Sequence, residues 1–311
     1  MEQLLSFVIP CYRSEHTIRK VVGEIAETVA ERPQFAYEII LVNDCSPDQV
    51  YEEMKLLAEK DQRIKVVNLA KNMGKHAAVL AGYAYVKGRY IVNLDDDFQS
   101  PVCELWKLLE PVVNDSCDYA TASYYKKQQS AFKNFGSNIN LHMSEVLLEK
   151  PKGLRFENFS VMKRFVCDEI VNYKNPYPYL EGLVLRVTQR VVAVPMEQRP
   201  RGDAMGTGFT FRKSFALLLN GLTAFSIKPL RFATLAGFLF SAAGFLWGVY
   251  TIVHKLQNPA VPMGYSSLAA ILLFSSGLVM LMLGMIGEYL GRIYICINDS
   301  PQYVVRDTIN L

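Results

Sequence analysis

The sequence predicts an α/β domain built on a mostly parallel sheet, followed by an interfacial helix and two membrane-spanning helices. Apolar strand-like runs alternate with amphipathic helical stretches, polar residues follow several of those runs, and two long uncharged segments lie near the C-terminus. The 311 residues are 50% hydrophobic and 20% charged, with a mean hydropathy of +0.11. This composition excludes disordered and collagen-like chains.

The alternation begins with the apolar run LLSFVIPCY, and the next stretch is helical because Ile18, Val22 and Ile25 fall on one face. The same order repeats through the strand-like runs YEIILVND, IKVVNLA and YIVNLDDD. Near-continuous apolar strands separated by helices predict a parallel sheet with helices on both faces. In such sheets ligands bind beyond the carboxyl ends of the strands.

Polar side chains follow three of these strands. Tyr12 and Glu15 come after the first, Asn43 and Asp44 close the second, and Asp95 to Asp97 follow the fourth. This pattern predicts a nucleotide-binding crevice. The chain has neither GxGxxG after its first strand nor GxxxxGK[ST] before a helix, which disfavours a dinucleotide-binding dehydrogenase and a P-loop NTPase.

The acidic cluster predicts a metal site. Asp95 and Asp97 are two residues apart at a strand end, so their carboxylates point to the same side and can share Mg²⁺ or Mn²⁺ with diphosphate oxygens. Gln99 is a further candidate oxygen ligand, and Asp96 would face away or support the ligands. A solvated acidic turn is the alternative.

Residues 232–253 and 265–287 carry no charge, and at ~1.5 Å per residue each crosses a ~30 Å hydrocarbon layer. Buried core helices are the alternative. Basic residues flank this pair of segments, so we expect the catalytic part and both termini in the cytosol. The predicted division is 1–210 for the catalytic domain, 211–231 for an interfacial helix, 232–290 for the membrane hairpin and 291–311 for a cytosolic tail.

The remaining composition limits the partners. The net charge of +3 is mild and no basic stretch is interleaved with aromatic residues, so nucleic acid is not an expected partner. The six cysteines form no CxxC pair, and neither a zinc site nor a disulfide framework is expected. Small residues in the first span, such as Gly237 and Gly244, make a homo-oligomer plausible through helix packing.

Four ordered motifs resemble the inverting GT-A glycosyltransferases of family 2: VIPCY, EIILVNDCSPD, NMGKHAAVLAG and DDDFQSP. The segment PLRFATLAGFLFSAAGF and the ending GEYLGRIYICINDSPQYVV narrow the resemblance to the polyprenyl-phosphate glycosyltransferases, the bactoprenol glucosyltransferase and dolichol-phosphate mannose synthase group. The resemblance runs over nearly the whole chain. It implies a GT-A nucleotide-sugar-binding fold in an integral protein of a bacterial inner or cell membrane.

The resemblance also implies roles for individual residues. It assigns Asp95 and Asp97, with Gln99, to the metal. It places nucleotide contacts at Pro10, Tyr12, Glu15, Val42, Asp44, Asp95 and Asp96. Two departures bear on these roles, since Arg13-Ser14 stands where the family has Asn-Glu and Asn43 replaces an acid. Basic residues are expected to hold the acceptor and leaving-group phosphates, with Arg164 also counted as catalytic: Lys163, Arg164, Arg199 and Arg201.

The implied reaction is transfer of a sugar from a nucleoside-diphosphate sugar, with a lean toward UDP, to the phosphate of a polyprenol such as undecaprenol. The product would serve cell-envelope glycan or lipid modification. An attacking phosphate is already anionic near pH 7, so no strong general base is demanded. A glycosyltransferase acting on a saccharide and a non-catalytic membrane scaffold of the same fold are the alternatives.

Overall fold

The computed structural model describes residues 3–124, 154, 156–175, 178–199, 228–257, 264–298 and 301–311. The chain divides into two compact units, Met1–Phe209 with Asp299–Leu311, and Thr210–Asn298. The second stretch of the first unit comes from the end of the chain, after both long helices of the second unit. Each unit is described by itself below.

The first unit contains a sheet and its covering helices. Its strands are β1 (Gln3–Cys11), β2 (Phe35–Asn43), β3 (Ile64–Leu69), β4 (Tyr90–Asn93), β5 (Tyr119–Tyr124), β6 (Ser160–Lys163), β7 (Val191–Met196) and β8 (Val305–Ile309). Its helices are α1 (Ile18–Ala30), α2 (Val50–Lys60), α3 (Lys75–Tyr83), α4 (Leu105–Val113), α5 (Arg164–Val171) and α6 (Leu180–Val187). A short 3-10 turn, Val102–Glu104, precedes α4.

Within the described residues the strands form one eight-stranded sheet in the order β7-β5-β6-β4-β1-β2-β3-β8. β1 pairs in parallel with β2 and β4, and β2 pairs in parallel with β3. β6 runs antiparallel to β4 and β5, and β8 runs antiparallel to β3. The predicted mostly parallel sheet is therefore confirmed, and the carboxyl ends of β1 to β4 lie at one edge.

Helices cover both faces because side chains alternate along each strand. Phe7 and Ile9 of β1 join a core with Ile25 of α1, and all three are completely buried. Val8 and Val42 face the other side, where α3 packs so closely that a Cβ on Gly82 would lie 2.5 Å from Val8 Cγ1. Glycine at this position allows the helix to approach the sheet.

The last strand was not expected from the sequence, which indicated only a tail for residues 291–311. β8 adds to the edge of the sheet beside β3, with Thr308 opposite Val67. Side chains near it contact the rest of the unit, since Gln302 Nε2 donates to the carbonyl of Tyr173 at 2.8 Å and Asn310 Nδ2 donates to that of Ile64 at 2.9 Å. The end of the chain is thus part of the folded sheet.

The second unit contains two long helices, α7 (Lys228–Gln257) and α8 (Tyr265–Ile297). The two helices pack antiparallel. The rings of Phe240 and Phe274 lie 5.6 Å apart, and Gly237, earlier in α7, faces Met282, later in α8. Among the described residues, Phe274–Ile297 is a helical stretch long and apolar enough to cross a membrane, and Gly237–Tyr250 is a shorter apolar stretch. The predicted pair of spans, 232–253 and 265–287, is therefore not confirmed as a pair.

Candidate active site

The loops that follow β1, β2 and β4 reverse direction sharply at the same edge of the sheet. Arg13, Cys45 and Phe98 have φ values of 58°, 49° and 60°, in the left-handed region that side chains rarely adopt. Backbone strain of this kind persists where the surrounding structure enforces it, often at ligand sites. We call these loops, together with the loop after β3, the rim; it comprises residues 12–17, 44–49, 70–75 and 94–100.

Asp95 lies in the rim with both carboxylate oxygens engaged. Its Oδ1 contacts the ammonium of Lys75, the first residue of α3, and its Oδ2 accepts a hydrogen bond of 2.7 Å from Asn158 Nδ2. The Asp95 side chain is 22% exposed and that of Lys75 is 40% exposed, so the ion pair is open to solvent. Neither Lys75 nor Asn158 was among the site residues expected from the sequence. A lysine after glycine at a helix start was the available signal for the first.

Asp96 holds the loop after β1. Its Oδ2 accepts the backbone N–H of Tyr12 at 2.9 Å, and its carbonyl accepts the Thr17 hydroxyl at 2.5 Å. Burial raises the pKa of Asp96 to about 6, and the Tyr12 N–H opposes that rise. Asp96 thus connects the loop after β4 to the loop after β1.

Asp97 and Gln99 lie farther along the same loop. Asp97 Oδ1 accepts the backbone N–H of Gln99 at 3.1 Å, while Gln99 Oε1 accepts from Gln198 Nε2 at 3.2 Å. Asp95, Asp97 and Gln99 would supply oxygen ligands, the chemistry that Mg²⁺ and Mn²⁺ prefer. Within the described residues no three His, Cys, Asp or Glu side chains form a metal site. The oxygen donors of Asp95, Asp97 and Gln99 are of the type that suits Mg²⁺ or Mn²⁺ bound together with phosphate oxygens.

Asp44 fixes the loop that leads into α3. Its two carboxylate oxygens accept the backbone N–H groups of Met73 at 2.7 Å and Gly74 at 2.9 Å. Burial raises the pKa of Asp44, and these two hydrogen bonds oppose the rise. Gly74 has a φ of 84°, a left-handed conformation that suits glycine. Asp44 therefore sets the position of Lys75 in addition to any contact with a nucleobase.

The other expected nucleotide contacts lie at the same edge. The Tyr12 side chain is exposed, and Glu15 Oε2 accepts the backbone N–H of Gln49 at 2.9 Å. Pro10 lies beside Val42 in the sheet. Val42 is completely buried with its side chain toward α3, so it lies behind the rim and supports it rather than facing a ligand.

A recess opens next to Asp95 on the α3 side of the sheet. Its polar lining includes Lys75, His76, Asn93 and Glu181. Burial lowers the pKa of His76 to about 4, helped by the Lys75 charge, so the imidazole is neutral at pH 7. Asn93 is nine-tenths buried, and its Oδ1 has no hydrogen-bond partner among the described residues. A bound group that enters this recess meets an acceptor oxygen.

Lys163 and Arg164 do not lie near the acidic cluster, contrary to the expectation from sequence. β6 runs antiparallel to β4, so Ser160 is opposite Asn93 and Lys163 is opposite Tyr90, at the amino end of β4. Lys163 there forms ion pairs with Asp115 and Asp118. Arg164, the next residue, pairs with Asp168 through its Nε at 2.7 Å. The antiparallel direction of β6 therefore removes both from the set of phosphate contacts at the rim.

Arg199 lies beside the acidic loop, but its charge is already paired. Its backbone N–H donates to the Gln99 carbonyl at 3.2 Å, and its guanidinium lies 4.8 Å from the centre of the Phe98 ring. Both terminal nitrogens bind the Glu24 carboxylate, at 2.7 and 2.6 Å. Arg201, the other predicted phosphate contact, lies outside the described residues, as does the segment 211–227.

The fold and rim define a class of α/β protein that binds its ligand at the carboxyl edge of a parallel sheet, here with an acidic loop beside a lysine. Sequence comparison identifies the family. Glycosyl transferase family 2 matches residues 6–171, and the family GtrB C-terminal hairpin matches residues 228–293. The chain belongs to glycosyl transferase family 2, as its motifs indicated, and carries the GtrB hairpin.

Three curated relatives match almost end to end. An uncharacterized glycosyltransferase, YkcC of Bacillus subtilis, is 33% identical over 98% of this chain and 94% of its own length. An undecaprenyl-phosphate 4-deoxy-4-formamido-L-arabinose transferase of Salmonella choleraesuis is 28% identical over 98% and 93%. An SfII prophage-derived bactoprenol glucosyl transferase of Shigella flexneri is 27% identical over 97% of each chain.

The fold also occurs in a solved structure of distant sequence. Glucosyl-3-phosphoglycerate synthase of Mycobacterium tuberculosis, crystallised with Mn²⁺, UDP-glucose and phosphoglyceric acid, superposes with a TM-score of 0.51 and 16% identity. The match covers 71% of this chain and 78% of that one. At this identity the similarity establishes the GT-A fold of the catalytic unit.

Proposed function

We propose that this protein is a membrane-bound inverting glycosyltransferase that moves a sugar from a nucleoside-diphosphate sugar, UDP-linked by preference, to polyprenyl phosphate. The observation that carries the proposal is the joining, in one chain of family 2, of the acidic rim at Asp95 to Asp97 with a GtrB-type helical hairpin. Two near full-length relatives are named for transfer to undecaprenyl phosphate or bactoprenol. Those two names give different sugars, so they leave the sugar open.

The membrane assignment is supported by the surface of the hairpin. Large apolar side chains of both helices are exposed, including Phe245 at 71%, Trp247 at 62% and Met280 at 72%. Exposed apolar surface on this scale is expected where lipid covers it. In the proposal, residues 232–253 and 265–287 span the membrane, 211–231 lie at its surface, and 1–210 and 291–311 face the cytosol.

Association of copies through the hairpin belongs to the same proposal. A Cβ on Gly244 would meet no atom within 4 Å among the described residues, apart from the backbone of its own helix. A small residue on an open helix face permits a second helix to approach closely.

The rim would hold the nucleoside-diphosphate sugar that donates the sugar. We assign Tyr12 to the base or ribose, with Pro10 and Glu15 beside it, and Asp44 to the base, with the buried Val42 behind it. Asp96 would support the Tyr12 loop. Asp95, Asp97 and Gln99 would hold Mg²⁺ or Mn²⁺. When bound, that ion offsets the negative charge that develops on the departing diphosphate.

The acceptor phosphate would attack the anomeric carbon from the face opposite the leaving group, which inverts the configuration. It needs no residue to remove a proton, because it is anionic near neutral pH. The chain must instead position and partly neutralise it. Arg201 remains the candidate for this contact; Lys163 and Arg164 lie at the other end of the sheet and are not assigned to it.

The proposal is tested by incubating membranes that contain the protein with undecaprenyl phosphate, Mn²⁺ or Mg²⁺ and radiolabelled UDP- or GDP-sugars in turn. A labelled product extractable into organic solvent is expected for one sugar. Asp97→Ala should abolish it, while Glu59→Ala, an exposed carboxylate on α2, should not. Label that appears only in a water-soluble saccharide would overturn the lipid acceptor in favour of a saccharide acceptor.

A further inference from the structure

The ion pair between Lys75 and Asp95 links a cation on a helix to a carboxylate proposed for the metal. The ammonium of Lys75 contacts Oδ1 of Asp95 and Asn158 donates to Oδ2 at 2.7 Å, so a divalent ion that binds Asp95 competes with Lys75 for the carboxylate. The pair is exposed to solvent, and exposed ion pairs are weak. A divalent ion bound together with a diphosphate can therefore displace the lysine.

Helix stability does not explain a lysine at this position. Lys75 is the first residue of α3, where the helix dipole favours acidic side chains and disfavours basic ones. A residue that disfavours the local structure in which it lies is expected mainly at functional sites. An acidic group does lie at this helix start, because the Asp44 carboxylate accepts the N–H groups of Met73 and Gly74 immediately before α3.

The base of the Lys75 side chain is held firmly while its end can move. Asp44 fixes the loop up to Gly74, and α3 packs against the sheet through Gly82. The four-carbon stem of a lysine turns about several bonds and carries its charge as a compact donor suited to phosphate. The ammonium can thus leave Asp95 for another anion close by without a change in the backbone.

We propose that Lys75 pairs with Asp95 when the donor is absent and moves to the donor's diphosphate when the donor and the divalent ion bind together. Lys75 thereby weakens binding of the ion alone and strengthens binding of the diphosphate, which makes the two ligands cooperative. This inference rests on the proposed function for its ligand, a nucleoside diphosphate. In the reaction, the Lys75 ammonium would contact the diphosphate that leaves with the nucleoside.

The test measures binding and needs neither sugar nor lipid acceptor. Binding of Mn²⁺ to the purified full-length protein is followed by the loss of the free-ion electron paramagnetic resonance signal, with and without UDP. Lys75→Gln should bind Mn²⁺ alone about two- to fivefold more tightly than the unaltered protein, because the competing cation is gone. It should bind UDP with Mn²⁺ about tenfold more weakly, because a charged hydrogen bond is lost.

Two further variants complete the test. Lys60→Gln removes an exposed lysine at the end of α2, outside the rim, and should leave both affinities unchanged; Lys75→Arg should retain most of the cooperativity. Unchanged Mn²⁺ affinity in Lys75→Gln would overturn the competition, and unchanged UDP affinity would overturn the diphosphate contact. A protein that shows the Lys75 effects but makes no lipid-linked sugar would refute the proposed acceptor and leave this inference standing.

Discussion

Asn68 Nδ2, in β3, donates a hydrogen bond of 2.9 Å to Asp307 Oδ2, in the last strand of the sheet. The hydrogen bonds continue from Asn68 toward the rim. Asn68 Oδ1 accepts from Asn43 Nδ2 at 2.9 Å, and Asn43 Oδ1 accepts the backbone N–H of Ser46 at 3.1 Å. The hydroxyl of Tyr51 also contacts Asp307. The end of the chain, beyond the hairpin, is thereby connected to the loop that carries Asp44.

This connection predicts that Asp307→Ala destabilises the catalytic unit. The change leaves the Asn68 amide and the Tyr51 hydroxyl without their acceptor, which costs about 1–3 kcal/mol of the free energy of unfolding. Arg306→Ala is the matched control, since Arg306 lies exposed on the other side of the same strand. Thermal unfolding of the purified proteins measures both. Equal melting temperatures for the two variants would show that the Asp307 contacts contribute nothing.

A second prediction concerns the buried ion pair of Glu38 and Lys65, whose side chains are 6% and 8% exposed. Glu38 Oε1 also accepts from the Ser6 hydroxyl at 2.5 Å and from the Lys87 N–H at 2.6 Å. Lys65→Met should cost about 3–5 kcal/mol, because it leaves a buried carboxylate without its cation. Adding Glu38→Gln to it should restore part of the loss.

The ion pair of Glu38 and Lys65 also makes the free energy of unfolding depend on pH. Burial acts to raise the pKa of Glu38, but the Lys65, Ser6 and Lys87 hydrogen bonds outweigh it and the pKa is lowered. The unfolded chain therefore takes up a proton before the folded one does as the pH falls. The stability that ionised Glu38 contributes is complete above the ordinary glutamate pKa and is lost as the pH drops through the lowered folded-state value. Unfolding in urea from pH 7 to pH 3 should show a smaller acid loss in Glu38→Gln; equal losses would refute the contribution.

A third prediction separates the two roles of Asp44. Asp44→Ala removes the acceptor of two backbone N–H groups at the start of α3, which should cost about 1–3 kcal/mol and weaken UDP binding with it. Asp44→Asn keeps one acceptor oxygen, so its stability and its UDP affinity should lie between those of the unaltered protein and those of Asp44→Ala. Calorimetric titration with UDP and thermal unfolding measure the pair of effects. If Asp44→Ala unfolds at the original temperature, the loop does not depend on this carboxylate.

A fourth prediction treats Arg199 and Glu24 as a structural pair. Glu24→Gln and Arg199→Gln should each lower stability, and the double variant should be no worse than either alone, a coupling of about 1 kcal/mol. The more exposed pair of Arg19 and Glu53, 2.6 Å apart, is the control and should couple less. An acceptor contact would behave differently: Arg199→Gln alone would raise the KM for polyprenyl phosphate, and Glu24→Gln would not.

Local sequence pattern predicted the sheet well because its parallel strands are buried on both faces and read as apolar runs. The strand ends that carry Tyr12, Asp44 and Asp95 followed from the same pattern, since parallel strands place their carboxyl ends at one edge. The direction of a strand is not encoded in its periodicity. Residues 160–163 were not recognised as a strand, and the family resemblance alone suggested Lys163 and Arg164 as phosphate contacts. The antiparallel pairing of β6 with β4 places them at the amino end of β4.

Contacts between distant segments were likewise not predictable from one sequence. Lys75 and Asn158 meet at Asp95 across long stretches of chain, and no local motif relates them. β8 is a five-residue strand whose alternation is too short to stand out. Its place beside β3 depends on the fold returning to the sheet after the hairpin.

The choice between a lipid phosphate and a lipid hydroxyl as acceptor can be measured with two lipids that differ only in the phosphate. Purified full-length protein is given the labelled nucleotide sugar that it uses, Mn²⁺ and either undecaprenyl phosphate or undecaprenol, and the label in the lipid phase is counted. We expect labelled lipid only with undecaprenyl phosphate, and a loss of about a hundredfold or more in Asp97→Asn. Equal labelling of undecaprenol would refute the phosphate acceptor, and labelling of undecaprenyl phosphate that Asp97→Asn does not reduce would refute the role of Asp97.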